Sequence, residues 1–197
     1  MFIEGGIIGL ILGKVRGGRF SNFSYLSIRA WPLIFLAFFI QVSPAFTNKI
    51  SALSSFQGYA YGLSNGVIIL LLLFNLNKRG LKVMLAGLLL NLVAVYFNGW
   101  KIPVSMEGLQ LAGLDAMVEA IQSGKIANYI PLDSLQHWSK YLAKFIVIPK
   151  PYPLAKVISI GDLFITLGLT LFIYGEMTKN HLHSRSRMIK FGYKGTI

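Results

Sequence analysis

Five apolar runs, at residues 2–15, 30–46, 58–76, 81–97 and 158–174, constrain this chain more than any other feature of its sequence. A bilayer core of about 30 Å takes roughly 20 helical residues, with about 17 as a lower bound. The later four runs meet that bound, and the first falls short of it. With 54% hydrophobic and only 13% charged residues, the chain carries about half the charge of a soluble domain. The expectation is an all-α integral membrane protein of about five transmembrane helices. Residues 1–177 would form the membrane domain and residues 178–197 a basic cytoplasmic tail.

Charge placement orients those spans. If all five runs cross, Arg16, Arg19, Arg29, Arg79, Arg185 and Arg187 share one side with Lys14, Lys78, Lys82, Lys179, Lys190 and Lys194. The other side receives lysines only: Lys49, Lys101, Lys125, Lys140, Lys144, Lys150 and Lys156. Cytoplasmic segments are enriched in Lys and Arg. The expected localisation is therefore a multi-pass cell-membrane protein with its N-terminus outside, its C-terminus in the cytoplasm and residues 98–157 as an extracytoplasmic loop. The apolar start is expected to be retained, since Glu4 stands where a signal peptide would be basic and no A-x-A site follows. A net charge of +12 does not imply a nucleic-acid partner, because the basic residues sit between apolar runs rather than on one surface.

Glycine spacing predicts close helix packing. Gly5, Gly9 and Gly13 recur every four residues, as do Gly58, Gly62 and Gly66, and Gly161, Gly168 and Gly175 recur every seven. Each set leaves a groove where another backbone can approach. Within the loop, Leu111, Leu114, Met117, Val118 and Ile121 fall at helical spacing, and Asp133 can cap a second stripe of Leu135, Trp138, Leu142 and Phe145. Two amphipathic helices against the outer surface are expected there. The chain has no cysteine, and no zinc, Walker, dinucleotide or nucleophile-elbow pattern is present. No metal site is expected, and no cofactor is indicated.

The segments Asn98-Gly99-Trp100-Lys101-Ile102-Pro103-Val104 and Ile158-Ser159-Ile160-Gly161-Asp162, with the glycine-rich opening, resemble a family of small bacterial multi-pass membrane proteins known only as a domain of unknown function. The pattern of that family, Asn-Gly-x-x-(Ile or Met)-Pro-Val, a His in the following loop and Gly-Asp opening the last helix, matches Asn98, Gly99, Ile102, Pro103, Val104, His137, Gly161 and Asp162. The resemblance implies no activity, but it indicates where a site would lie.

Asp162 stands about one turn inside the last apolar run, where an ionisable side chain marks a candidate site. Ser159-x-x-Asp162 is also a capping spacing, so a purely structural role stands beside the functional one. Asn91 and Asn98 share one face of the fourth run and need hydrogen-bond partners in an apolar setting. Trp100 suits a membrane interface. Glu4 would place a second carboxylate near Asp162, and His137 a titrating group. Lys140 and Lys144, on the face of His137, suggest a solvated surface. A triad of Ser105, His137 and Asp162 is formally available without supporting spacing. The expected ligand-binding residues are thus Asn98, Trp100, Pro103, Ser105, His137, Asp162, Glu4 and Asn91. The expected function is a membrane-embedded binding or transport-related protein with an outward-facing pocket for a lipid or small amphiphile. An enzyme acting on a lipid-linked substrate, and a scaffold or accessory subunit, are the alternatives. Expected partners are membrane lipid and a second copy or another membrane protein.

Overall fold

Local sequence signals set the start of the longest helix, α7 (Ile160–Thr178). Ser159 accepts the Asp162 amide at 3.0 Å, and Asp162 accepts the Ser159 amide at 3.1 Å, a reciprocal box that satisfies two otherwise orphan donors. The computed structural model describes residues 2–47, 56–135 and 138–179. Before α7 come α1 (Phe2–Val15), α2 (Pro32–Thr47), α3 (Phe56–Leu73), α4 (Leu81–Phe97), α5 (Met106–Leu111) and α6 (Asp115–Gln122). A 3₁₀ turn at Phe20–Tyr25 packs on the C-terminal end of α7. Helix α7 lies between α1 and α4, α4 touches α3, and α3 touches α2.

Glycines make two of these contacts possible. A Cβ at Gly5 would meet the Thr166 carbonyl at 2.8 Å, at Gly9 the Ile173 side chain at 2.9 Å and at Gly13 the Met177 sulfur at 2.6 Å. The first glycine stripe is therefore the α1–α7 interface, closed by a 3.1 Å bond from Thr170 Oγ1 to the Gly5 carbonyl. Gly87, Gly161 and Gly168 do the same between α4 and α7. The expected stripe on α3 is different, since Gly62 faces the Trp100 ring and Gly66 meets nothing within 4 Å. Leu72, Leu81, Met84, Leu88 and Ile165 fill the centre of α3, α4 and α7.

The expectation of about five transmembrane helices is corrected. Among the described residues only α7, at 19 residues, is long and apolar enough to cross a membrane; the apolar helices 32–43, 59–73 and 81–97 are shorter, as is the 14-residue α1. An apolar run counts residues, whereas a span is measured in helical rise of 1.5 Å per residue. Helix α3 stops at Leu73, leaving the last three residues of its run in turns. Left-handed Gly80 and Gly99 bracket α4 and hold it to 17 residues.

The loop at 98–157 also departs from two amphipathic helices. Gly113, at φ 69°, breaks the first expected helix and leaves α6 as its amphipathic remnant, burying Val118 and Ile121. The second expected helix is replaced by 3₁₀ turns at Leu132–Ser134 and Trp138–Leu142. Four short strands appear instead: β1 (Ile102–Val104) pairs in parallel with β2 (Tyr129–Pro131), and β3 (Ile146–Ile148) pairs antiparallel with β4 (Lys156–Ile158). Val104, Leu109, Ala112, Val118, Ile121 and Val157 form a core within this segment, which takes up Val118 and Ile121 of the first stripe and leaves Leu111, Trp138 and Phe145 exposed.

Candidate functional site

The site is assembled where α4 and α7 meet the loop module. Gly161 has no side chain, and that space is filled by the Asn91 amide, which a Cβ there would strike. Asn91 thereby donates to Asp162 Oδ1 at 3.0 Å and accepts from Ser159 Oγ at 2.7 Å. Lys144 closes the network, its Nζ 2.8 Å from Asp162 Oδ2. Asn91, Ser159 and Asp162 are all buried.

Lys144 reaches Asp162 because both mini-sheets hold its backbone. Its amide donates to the Pro103 carbonyl at 2.9 Å, and its carbonyl accepts from the Ser105 amide at 2.8 Å. The next amide, Phe145, donates to the Ile158 carbonyl at 3.1 Å. Burial alone would push the Lys144 ammonium down; the Asp162 carboxylate outweighs it and holds Lys144 above its ordinary value of 10.5.

Upstream, Asn98 caps α4 and donates to the Ala94 carbonyl at 2.6 Å and to Ser139 Oγ at 3.2 Å. Gly99 and Trp100 follow with φ of 63° each. For tryptophan this left-handed conformation costs on the order of 1 kcal/mol. Its ring is held against Gly62, between Tyr59 and Tyr96 at centroid distances of 5.7 and 5.8 Å. The Asn-Gly-Trp turn thus redirects the chain from α4 into β1, which in turn aligns Lys144.

The sequence-derived residues fall into separate places. Asn91 and Asp162 share the buried network. Pro103 is fully buried and, with Asn91, Lys144 and Ser159, borders a cavity of about 10 Å³. Asn98 bonds to Ser139, Trp100 packs on α3, and Ser105 caps α5 by accepting the Gly108 amide at 3.0 Å. Glu4 pairs with Lys156 and accepts the Tyr152 hydroxyl at 3.3 Å, tying α1 to β4. Burial lowers Lys156, and its bond to Glu4 more than reverses that, leaving it raised. His137 lies outside the described residues. Lys144 and Ser159 join the site without being among the expected ligand-binding residues: helical spacing puts Lys144 on a solvated face, although the Ile146-Val147-Ile148 run beside it is a β-type signal.

A second space is bordered by both Asn91 and Asp162. It is a cleft of about 560 Å³ bordered by α2, α3, α4 and α7, with Phe2 of α1 at its edge. Its walls are mostly apolar, from Phe38, Ile68, Leu72, Met84, Leu88 and Ile165. Gln41, Ser64, Asn65, Asn91 and Asp162 supply its polar lining, with Tyr61 beside them. Ser64 donates to Gln41 across the α2–α3 contact.

Residues 25–174 match a family described as a family of unknown function, DUF5317. The chain belongs to that family. It is also similar to an uncharacterised protein of Thermotoga maritima, 25% identical over 172 residues covering 87% of this chain and 89% of that one. No solved structure matches. For this DUF5317 member, the family match spans the whole network from Asn91 to Asp162 and most of the cleft.

Proposed function

We propose that this chain is a cell-membrane binding protein whose cleft takes a small amphiphile, its tail against the apolar walls and its polar head toward Asn91 and Asp162. The observation that carries this reading is the cleft itself, a concave apolar space with a few convergent polar groups, which is the usual form of a small-molecule site. Membrane association is supported by the length of α7 and by apolar side chains left uncovered on several helices. Ile7 and Ile11 of α1, Phe35 and Phe39 of α2 and Leu167 of α7 are each more than half exposed. Continuous apolar faces of this kind require lipid or a protein neighbour.

The proposed orientation follows the basic residues. Arg19 donates its amide to the Met177 carbonyl, Arg79 lies against Gly175, and Arg29 is bonded to Asn75, grouping arginines at the C-terminal end of α7. That end belongs in the cytoplasm by the positive-inside bias. The end with Glu4, the loop module and the Asn91–Asp162 side of the cleft then faces outward.

Native extraction of the purified full chain, followed by mass spectrometry, tests the function. A molecule retained at near-equal stoichiometry and lost in Ile34→Trp, which projects into the cleft, is the expected result. A chemically altered molecule would instead favour catalysis on a lipid-linked substrate. Retention that is insensitive to Ile34→Trp, or no retention at all, would refute the cleft as the site.

A further inference from the structure

The cleft's electrostatics restrict the head group it can hold, an inference that rests on the binding role proposed above. Among the described residues bordering the cleft, Asp162 is the carboxylate and there is no lysine or arginine. Its counter-ion, Lys144, approaches Oδ2 and borders the small cavity, not the cleft. Oδ1 accepts one bond among the described residues, from Asn91. A carboxylate oxygen accepts two, so Oδ1 keeps acceptor capacity beside the amides and hydroxyl of the cleft.

An anionic head would lie against this carboxylate with no cation among the described lining residues to pair with, since the Lys144 ammonium is already engaged at Oδ2, and its desolvation would go uncompensated. A head that donates hydrogen bonds meets the opposite situation, and a cationic donor adds Coulomb attraction to the bond. The geometry points to an amphiphile with a donor head, an ammonium above a hydroxyl, and against phosphate or carboxylate heads. Asp162 is the residue that reads the head, while Phe38, Ile68, Leu72 and Ile165 accept the hydrocarbon. Lys144 positions the carboxylate by engaging Oδ2, which leaves the remaining acceptor capacity on Oδ1.

The test uses the full chain in a non-ionic detergent and three probes of one chain length: tetradecylamine, tetradecanol and tetradecanoic acid. Isothermal titration calorimetry at fixed detergent concentration should give the amine tightest, the alcohol next and the acid at least about tenfold weaker than the amine. Asp162→Asn should erase the amine's advantage over the acid and weaken the alcohol less than the amine, because an amide oxygen still accepts a hydroxyl but offers no charge. The pair variant Lys144→Met with Asp162→Asn removes both charges together and should give the same loss of discrimination, which covers a folding defect in the single variant. Equal or tighter binding of the acid by the native chain overturns the inference, as does an amine preference that persists in both variants. Absence of binding by all three, or binding unaffected by Ile34→Trp, overturns the cleft reading as well. An acid preference that Ile34→Trp abolishes overturns only the head-group assignment.

Discussion

At the residue scale, the decisive feature is an ion pair held in a buried hydrogen-bond network. Lys144 is 22% exposed at its side chain and Asp162 10%, so removing one partner leaves the other charge poorly solvated. Lys144→Met should therefore destabilise the fold by on the order of 3 kcal/mol. The double variant with Asp162→Asn should recover part of that loss, and chemical unfolding of the three proteins checks it. Alkaline pH gives an independent test. Because the folded-state value of Lys144 is raised, its contribution is fully present below 10.5 and is lost as pH rises through the higher folded value. Lys156, raised by Glu4, has the same sign. Thermal scans from about pH 9 to about pH 12 should show a fall in stability above 10.5 that is smaller in Lys144→Met. A fall of equal size in the variant would remove the pair from the account. Asp162 and Asn91 are legible in the sequence and Lys144 is not, because a lysine's partner 18 residues away is set by strand pairing, not by spacing along a helix.

At the element scale, glycines of the same residue type have different roles depending on what faces them. A Cβ at Gly87 would strike the Gly161 carbonyl and lie 2.8 Å from the Ile165 amide, both rigid backbone. Gly87→Ala should destabilise by roughly 2 kcal/mol, a cost of overpacking. Gly66, inside α3 with nothing within 4 Å, should instead gain about 0.5–1 kcal/mol on replacement by alanine, the ordinary helix propensity difference. Thermal denaturation of both variants separates the two cases, and destabilisation by Gly66→Ala would place an unseen neighbour on that face. The α1 and α7 stripes were legible in the sequence because four-residue and seven-residue spacing keeps glycines on one helix face. The α3 stripe has the same spacing, but among the described residues nothing lies within 4 Å of a Cβ at Gly66. The loop module was illegible for a related reason: its strands are three residues long, too short for an alternating pattern to rise above chance.

At the scale of the whole molecule, α7 joins two ends that differ in their cations, lysines at one and arginines at the other. Glu4, Lys144 and Lys156 mark one end, and Arg19, Arg79 and Glu176 the other. With α7 crossing the membrane, a cysteine at exposed Ser123 should react with an impermeant maleimide in intact cells, and one at exposed Ser24 should not. The native chain has no cysteine to interfere. The reverse labelling would invert the proposed orientation, and labelling at both positions would rule out a crossing.

Periodicity and capping are local properties, and they determined most of what the sequence alone could: five apolar helices, the Ser159–Asp162 box at the start of α7, glycine stripes on α1 and α7 that admit a close neighbour, and Asp162 with Asn91 as polar residues requiring partners. Helix length was decided elsewhere. Left-handed turns at Gly80, Gly99 and Trp100 and the end of α3 at Leu73 left α7 as the helix of membrane-crossing length among the described residues. The partner of Asp162 and the cleft beside it were likewise tertiary outcomes. Both depend on parts of the chain distant in sequence, β1, the Lys144 segment and α2 through α4, arriving at one place, and no residue spacing along a single helix encodes a distance between two of them.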